Sequence, residues 1–413
     1  MRGGSRVRRM AQNEARSGQQ NTNHVTMTEP QGKIKVGVIF GGRSGEHEVS
    51  LMSARSVMAA LDPARYEVVP IGITKGGQWL AGDPLRALTD GPAGAGQPAT
   101  LLPAPQEATA LLQMATDADQ AVTLSAVTTL DVVIPVLHGT YGEDGTVQGL
   151  LELAGVPYVG AGVVGSAVGM DKAIFKYVME ANGLPVLPWR LVLRSDWRTR
   201  PGDILDELEA HLSYPVFTKP ANLGSSVGIQ KCPGREALAA GLEDAARYDR
   251  RIVVEQGANI RELEVSVLGN DQPIASVVGE IRPRRDFYDY VAKYISDDSE
   301  LLIPAPLDPD LAERVRTLAV QAYQAIDCAG LGRVDMMLDV DTGRLYINEI
   351  NTIPGFTRIS MYPKLWEASG IGYSQLLDRL IELALARYDD KTQSQTTFAV
   401  PEIGSGSEAK ADE

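Results

Sequence analysis

The apolar run at residues 34–40 constrains the fold of this chain most strongly. It ends in a pair of glycines, and the stretch 46–61 that follows has the residue pattern of a helix. Two more apolar runs, at 66–73 and 130–137, predict a second and a third strand. A strand followed by a glycine turn, a helix and another strand is typical of an open parallel α/β sheet, because parallel strands need a crossover connection.

Composition narrows the class of protein. A chain of 413 residues is long enough for two or three domains, and 44% hydrophobic with 22% charged residues is typical of a globular protein. A net charge of −14 argues against nucleic acid as a general partner. We find no run of 18 apolar residues, so we expect no membrane span. Cys232 and Cys328 lack disulfide or metal spacing, which favours a reducing, cytoplasmic location.

Changes in composition predict the domain boundaries. The first residues are polar and arginine-rich, which fits a disordered extension and also an organellar transit peptide. Residues 81–128 are rich in Ala, Pro, Gly and Thr and predict a surface excursion with a short helix or hairpin inside. The predicted division is a disordered extension at 1–32, an N-terminal α/β domain at 33–168, a central domain at 169–258, a C-terminal domain at 259–388 and a disordered tail at 389–413.

A predicted hairpin brings two carboxylates and an amide together. Asp335 lies on the apolar run 334–340, and a short turn leads to a second run, 345–347, which continues to Glu349 and Asn351. Alternate side chains on a strand share a face, so Glu349 and Asn351 point the same way, with Asp335 beside them. Hard oxygen ligands of this kind suit Mg²⁺. The same residues also fit a solvated acidic edge of a hairpin.

Two lysines and two glutamates indicate a nucleotide site. Lys219 ends a predicted strand and precedes a Gly/Ser loop, where backbone N–H groups and a lysine charge can cover phosphates. Lys172 opens a predicted helix and, facing Lys219, would bracket a triphosphate. Glu255 ends a buried strand and Glu262 follows one short turn later, where they could bind adenine and ribose. Taken singly, these features also fit a structural turn, a surface lysine and a domain linker.

Polar residues also follow two neighbouring strands of the predicted first sheet. His138 follows the third strand and Glu46 the first, at the edge where open α/β sheets bind ligands. His138 equally fits a structural hydrogen bond, and Glu46 fits either a helix dipole or a substrate ammonium group. The aromatic and charged segment 284–300 fits an amphipathic strand or a lid over an active site.

The order of these motifs closely resembles that of the D-alanine–D-alanine ligases, a family of the ATP-grasp superfamily. The resemblance runs from about residue 33 to 388. Its most specific motifs are GGRSGEHEVS (41–50), HGTYGEDG (138–145), YDYVAKY (288–294) and NTIPGFTRISMYP (351–363). It implies an α/β protein of three-domain ATP-grasp architecture, with an N-terminal open parallel sheet followed by two α+β ATP-grasp domains.

The resemblance also implies the site. The cofactors would be ATP and two ions of Mg²⁺ or Mn²⁺, the protein a homodimer, and the metal ligands Asp335, Glu349 and Asn351. Catalytic roles would fall to Glu46, Ser225, Tyr294, Arg333 and Gly355. Substrate contacts would come from Val49, His138, Ser360 and Met361. The nucleotide would contact Lys172, Lys219, Glu255, Gln256, Ala258, Glu262, Phe287 and Lys293.

The implied reaction has two steps. ATP phosphorylates the carboxylate of one D-alanine, and the amine of a second D-alanine then attacks the acyl phosphate. Arg333 and the backbone N–H of Gly355 would stabilise the oxyanion of the tetrahedral intermediate. Glu46, Ser225 and Tyr294 would form one hydrogen-bonded group.

Three other functions fit parts of the pattern. A ligase that uses D-lactate or D-serine as its second substrate is the nearest, but Lys293 and Tyr294 of the lid motif are intact, which favours the dipeptide. A regulatory nucleotide-binding protein would be expected to lack a metal ligand or Arg333. An ATP-grasp carboxylase subunit would leave the YDYVAKY motif unexplained.

Overall fold

Three β-sheets with helices packed against them form the unit that begins at Ile34 in this computed structural model. The structure describes residues 32–90, 96–105, 109–117, 119–224, 227–283 and 299–398. Among these residues, no helix is both long and apolar enough to cross a membrane.

The first sheet contains the predicted parallel core. Its strands are β1 (Ile34–Gly41), β2 (Tyr66–Ile73), β3 (Trp79–Gly82), β4 (Gly96–Leu101), β5 (Ala110–Thr116), β6 (Val122–Thr129) and β7 (Val132–Val136). They lie in the order β6-β5-β4-β3-β2-β1-β7, and β1 pairs in parallel with both β2 and β7. The helices are α1 (His47–Ala60), α2 (Pro84–Asp90), α3 (Thr146–Ala154) and α4 (Val163–Met170). The parallel α/β prediction is confirmed.

The region 81–128 is part of this sheet. It holds the predicted short helix, α2, and a hairpin, β5–β6, but its strands also extend the sheet by antiparallel pairing from β2 outward. Leu101 and Leu111 are buried in the same cluster as Ile39 and Val133 of the parallel core. The excursion is therefore a continuation of the first sheet.

The second sheet is small and antiparallel. It consists of β8 (Trp189–Leu193), β9 (Val216–Pro220), β10 (Gln230–Cys232) and β11 (Arg251–Gln256), in the order β10-β9-β11-β8. The surrounding helices are α5 (Lys172–Ala181), α6 (Arg194–Thr199), α7 (Pro201–Glu209) and α8 (Arg235–Tyr248). Helix α5 is capped at its start by Asp171, whose side chain accepts the N–H groups of Ala173 and Ile174.

The third sheet carries most of the predicted chemistry. Its strands are β12 (Ile260–Gly269), β13 (Ile274–Pro283), β14 (Ser299–Leu302), β15 (Gly330–Asp339) and β16 (Leu345–Asn351), in the order β14-β13-β12-β15-β16. The helices are α9 (Pro309–Ala325), α10 (Met361–Ala368) and α11 (Tyr373–Thr392). Along β15, Val334 and Met336 are buried beneath α9 residues such as Val315, whereas Arg333 and Asp335 lie on the opposite, partly exposed face.

The last helix connects the end of the chain to the first sheet. Leu376 and Leu380 of α11 share a hydrophobic cluster with Val36 and Val132. The hydroxyl of Tyr66 donates a 2.7 Å hydrogen bond to Asp378. Helix α11 also continues to Thr392, past the predicted start of the tail at residue 389. A helix within the predicted C-terminal domain thus packs on the N-terminal sheet.

Candidate functional site

One face of the third sheet gathers the residues predicted to bind a metal and to stabilise an oxyanion. Asp335 pairs with Glu349, and Arg333 with Asn351, across β15 and β16. Directly paired residues lie on the same face of an antiparallel sheet, and so do residues two apart on one strand. All four side chains therefore share one surface, as the hairpin pattern predicts.

Arg333 is held in place by carboxylates on both sides. Its guanidinium donates two 2.7 Å hydrogen bonds to the two oxygens of Asp335, and its Nε lies 3.0 Å from Glu264. Asn351 donates to the same Asp335 at 2.9 Å. The bidentate contact fixes the plane of the guanidinium. Because the side chain is already ordered, it loses less conformational entropy when a ligand binds.

The donor set fits a hard cation that also binds phosphate. Asp335 and Glu349 supply carboxylate oxygens and Asn351 an amide oxygen, the ligand types that Mg²⁺ prefers. Within the described ranges, no group of three or more His, Cys, Asp or Glu residues could hold a metal by itself. Three protein ligands leave the other positions of an octahedral Mg²⁺ to water and substrate phosphates.

Lys172 reaches the metal-type carboxylates from the start of α5. Its ammonium lies 3.9 Å from Glu349 and donates a 2.8 Å hydrogen bond to the carbonyl of Leu223. The backbone N–H of Lys172 also bonds to the carbonyl of Ala221. The Gly/Ser loop that follows Lys219 is thus tied to the start of α5, and both lie beside the third sheet.

A buried carboxylate between two lysines lies on the second sheet, at the other end of the candidate site. Glu255 lies 2.6 Å from the ammonium of Lys219, and its second oxygen forms an ion pair with Lys176. Burial alone would raise the pKa of Glu255, but the charges of Lys176 and Lys219 outweigh it and lower the pKa to about 2. Burial lowers the pKa of Lys176, against the attraction of Glu255. The carboxylate of Glu255, predicted to bind the nucleotide, is therefore ionised and fixed between two cations.

The carboxyl edge of the first sheet is the third part of the candidate site, after the third and second sheets. Glu46 is buried just before α1, and a Cβ atom added to Gly224 would lie 2.9 Å from its Oε1. A larger residue than glycine at this position of the loop after β9 would require the carboxylate of Glu46 to shift. The carboxylate of Glu46 also lies close to Gly139, as predicted for two motifs at one sheet edge.

His138 is buried and hydrogen-bonded through both ring nitrogens. Nδ1 lies 2.9 Å from the carbonyl of Ile353, and Nε2 lies 3.0 Å from the hydroxyl of Ser53. Burial lowers the pKa of His138, although the charge of Glu46 opposes this. A carbonyl only accepts hydrogen bonds, so Nδ1 donates and Nε2 accepts. His138 lies near Glu46, as predicted. Its two hydrogen bonds also fit the alternative prediction, that His138 has a structural role.

The remaining predicted residues are spread along the same region. Ser360 accepts the N–H of Thr357 at 3.1 Å, and its hydroxyl lies where a side chain on Gly355 would project. Met361 is buried beside Leu365, so contact with a substrate would fall to its backbone. The other described positions are Val49, buried on α1; Gln256, whose side chain accepts the N–H of Ser213; exposed Ala258; and half-buried Glu262 on β12.

Four predicted site residues and most of the predicted lid lie outside the described residues. They are Ser225, Phe287, Lys293 and Tyr294, together with positions 284–298 of the lid.

Four residues that contact predicted site residues were not assigned roles from the sequence: Lys176, Glu143, Ser53 and Glu264, which pairs with Arg333 from β12. Lys176 occupies an inward position of α5, between Ala173 and Met179, where the helical pattern is otherwise apolar. A lysine at an inward, otherwise apolar position of a predicted helix is the sequence feature that could have indicated a buried ion pair. Glu143 lies inside the HGTYGEDG motif, but one of its two backbone partners, Ile353, is 210 positions away in the sequence. Ser53 carried no signal, because its contacts depend on the packing of α1.

An N-terminal parallel sheet followed by two antiparallel sheets, with lysines and oxygen ligands gathered between them, defines the class of protein as an ATP-grasp enzyme. Models described as D-ala D-ala ligase N-terminus and D-ala D-ala ligase C-terminus match residues 35–161 and 178–382. The chain belongs to the D-alanine–D-alanine ligase family and is an ATP-dependent ligase.

Individual relatives match most of this chain and nearly the whole of their own length. The chain is 52% identical over 365 residues to a D-alanine–D-alanine ligase of Heliobacterium modesticaldum, covering 88% of this chain and 98% of the relative. The solved D-alanine–D-alanine ligase of Coxiella burnetii is 34% identical, with a TM-score of 0.73 and coverage of 87% and 96%. The VanG D-Ala:D-Ser ligase of Enterococcus faecalis is 35% identical, with a TM-score of 0.74 and coverage of 86% and 100%.

Proposed function

We propose that this chain joins two D-alanine molecules through a D-alanyl phosphate, releasing ADP and phosphate, for peptidoglycan precursor synthesis. The observation that carries the proposal is the shared face of β15 and β16. Arg333 and the oxygen ligands Asp335, Glu349 and Asn351 lie together there, and Lys172 reaches the same group. A carboxylate is a poor electrophile until it is phosphorylated, and phosphoryl transfer mainly needs positioning and neutralised charge.

In the first step, two lysines and the residues at the end of β11 would hold the nucleotide. Lys172 and Lys219 would neutralise phosphate oxygens, since Lys172 reaches Glu349 of the third sheet and Lys219 precedes the loop that is hydrogen-bonded to the start of α5. Glu255 and Glu262 would hold adenosine, with Gln256 and Ala258 lining the same site at the end of β11 and just after it. Bound Mg²⁺ would be held by Asp335, Glu349 and Asn351 and would neutralise further phosphate charge.

The first D-alanine would bind at the edge of the first sheet. Glu46 would accept its ammonium group, because this carboxylate is buried beside the Gly139 and Gly224 loops. Its carboxylate would then face the phosphate and be converted to the acyl phosphate. Val49 and His138 flank this position.

In the second step, the amine of the second D-alanine attacks the acyl carbon. The new C–N bond forms as the carbonyl oxygen takes up negative charge, and collapse of this intermediate expels phosphate. Arg333 and the N–H of Gly355 would stabilise the oxyanion. Ser360 and the backbone of Met361 would contact the second substrate.

The acceptor specificity needs a direct test, because a D-Ala:D-Ser ligase is among the similar structures. The experiment incubates the purified chain with ATP, Mg²⁺ and D-alanine, alone or with D-serine or D-lactate, and measures the products by mass spectrometry alongside phosphate release. We expect D-alanyl-D-alanine as the main product in every mixture. A mixed product exceeding the dipeptide would contradict the proposed acceptor, and the absence of any ligation product would contradict the proposed function.

Further properties belong to the same proposal. The domain boundaries 33–168, 169–258 and 259–388 remain our proposed division, supported by the separate sheets. A homodimer and a cytoplasmic location follow from the family resemblance. Light scattering of the purified chain would test the dimer.

A further inference from the structure

The short segment 353–356 is held by side chains at its first residue. The N–H of Ile353 donates to Glu143 at 3.0 Å, and its carbonyl accepts a 2.9 Å hydrogen bond from His138. Both partners belong to the loop after β7, more than 200 positions earlier in the sequence. Both backbone groups of Ile353 are thus fixed by the first sheet.

The last residue of the segment is held in the same way. The N–H of Phe356 donates to the hydroxyl of Ser53 at 3.3 Å, and its carbonyl accepts the hydroxyl of Tyr373. Ser53 also lies 3.0 Å from Nε2 of His138. Because that nitrogen is the acceptor, the serine hydroxyl donates to it, and the two ends of the segment are joined through one hydrogen-bonded chain.

Gly355 is enclosed between these two fixed residues. Pro354 has no N–H, so the N–H of Gly355 is the one backbone donor between Ile353 and Phe356. Within the described part of the chain, this N–H has no assigned acceptor, whereas both flanking N–H groups do. The arrangement restrains the segment and leaves one donor for a ligand.

Glu143 extends the restraint to the substrate side. Its second oxygen accepts the N–H of Gly139 at 2.7 Å, so one carboxylate connects the Gly139 loop to Ile353. Burial and the charge of Glu46 raise the pKa of Glu143, whereas its two N–H donors and the charge of Arg333 oppose the rise. Glu143 therefore lies within electrostatic reach of Glu46, which would bind the first substrate, and of Arg333, which would stabilise the oxyanion.

We propose that Glu143, His138 and Ser53 are positioning residues that fix the N–H of Gly355 as an oxyanion donor. The inference rests on the proposed function. Such a donor acts only when it is held about 3 Å from the developing oxyanion, and removing one typically costs ~10²–10³ in kcat. Loosening the segment forfeits part of that effect and mainly slows the attack on the acyl phosphate.

The test is Glu143→Gln, which keeps the size of the side chain. A glutamine offers one acceptor oxygen and one NH₂ group to two N–H donors, so one of the two hydrogen bonds is lost. We expect kcat for dipeptide formation to fall roughly 10- to 100-fold, with the KM for ATP within about twofold of wild type. The acyl phosphate would persist longer and be hydrolysed, so more phosphate would be released per dipeptide.

The ratio of phosphate to dipeptide separates positioning from folding. A folding defect lowers the amount of active protein and leaves the ratio unchanged. Asp339→Asn is the control for removing a carboxylate charge, because one oxygen of Asp339 accepts two backbone N–H groups in the turn after β15. We expect this control to keep the wild-type ratio.

Each outcome decides the inference. A wild-type ratio in folded Glu143→Gln would overturn it, whether or not kcat falls. If Glu143→Gln does not fold, Ser53→Ala decides, since it removes the hydrogen bonds to Phe356 and His138 and should raise the ratio by a smaller amount. A wild-type ratio in that variant would equally overturn the inference. Wild-type protein that forms no dipeptide would contradict the proposed function itself, and the inference with it.

Discussion

Two charge clusters in this protein have opposite arrangements. At one, a cation lies between two carboxylates, with Arg333 bound to Asp335 and Glu264. At the other, a carboxylate lies between two cations, with Glu255 bound to Lys176 and Lys219. Both contain charges that are paired within the protein, as buried charges must be.

Burial distinguishes the two clusters. The side chains of Glu255 and Lys176 are 2% and 3% exposed, whereas Arg333 is 14% exposed and Glu349, on the same face of the sheet, is 25% exposed. The exposed cluster can exchange its partners for a metal and a substrate. Glu255 and Lys176 cannot receive a charged ligand without breaking their ion pair, whereas Lys219, whose side chain is 11% exposed, would meet the phosphates at the edge of this cluster. We infer that the first takes part in the chemistry and that the second sets the shape of the nucleotide site.

The largest effect should come from Glu349→Gln, on the same face of the sheet as the exposed cluster. It removes a charged metal ligand worth several kcal/mol, so dipeptide formation should fall at least about 10³-fold. Removing Mg²⁺ with a chelator should abolish wild-type activity as well. The measurement is the steady-state rate across Mg²⁺ concentrations, with circular dichroism to verify folding.

The control for this variant is Glu313→Gln, which changes an exposed glutamate of α9 paired with Arg316. It should keep the wild-type rate. Near-normal turnover in folded Glu349→Gln would rule out the metal assignment.

A smaller effect is expected from Arg333→Ala. Loss of one oxyanion-stabilising group should lower kcat by ~10²–10³, with the KM for ATP nearly unchanged. Because buried Glu264 loses its ion pair with Arg333, the variant should also be less stable. Rate and ATP binding must therefore be measured on protein shown to be folded.

Arg333→Lys is the companion variant, since it keeps the charge and loses the bidentate contact with Asp335. We expect it to recover part of the rate. Impaired ATP binding with an unchanged rate of the bound enzyme would contradict the role of Arg333.

The smallest catalytic effect should come from the buried cluster. Lys176→Met removes one of the two cations beside Glu255, so the KM for ATP should rise roughly tenfold while kcat changes little. The free energy of unfolding should fall by up to about 3 kcal/mol, because a buried ion pair loses one partner. The control is Lys231→Met, at an exposed position of β10.

The same variant has a defined pH dependence. The pKa of Glu255 is lowered from 4.5 to about 2, so its stabilising effect is present above pH 4.5 and is lost as the pH falls toward 2. Without Lys176, burial raises this pKa, and the loss should begin at a higher pH. Urea unfolding from pH 7 to 4 would measure the shift. Parallel curves for variant and wild type would show that Lys176 does not keep Glu255 ionised.

The contrast between the clusters also shows how far sequence reasoning reaches. The hairpin side of the exposed cluster was predictable, because two strands joined by a short turn determine which side chains face each other. Glu264 joins this cluster from β12 and was missed. The buried cluster was half predictable. Glu255 and Lys219 were expected at the nucleotide site, but their mutual ion pair depends on the pairing of β9 with β11. Lys176 comes from a helix packed nearby and was missed.

Local patterns in the sequence determined the strands and helices, the parallel core, the metal-type hairpin and the resemblance to the ligase family. These features depend on residues close together in the chain, or on motifs that are recognisable in order. The tertiary structure alone decided the extension of the first sheet through 81–128, the packing of α11 on that sheet and the restraint of Gly355. Those contacts join residues up to about 300 positions apart, such as Ser53 and Phe356. Their geometry depends on how the sheets and helices pack, which no local pattern encodes.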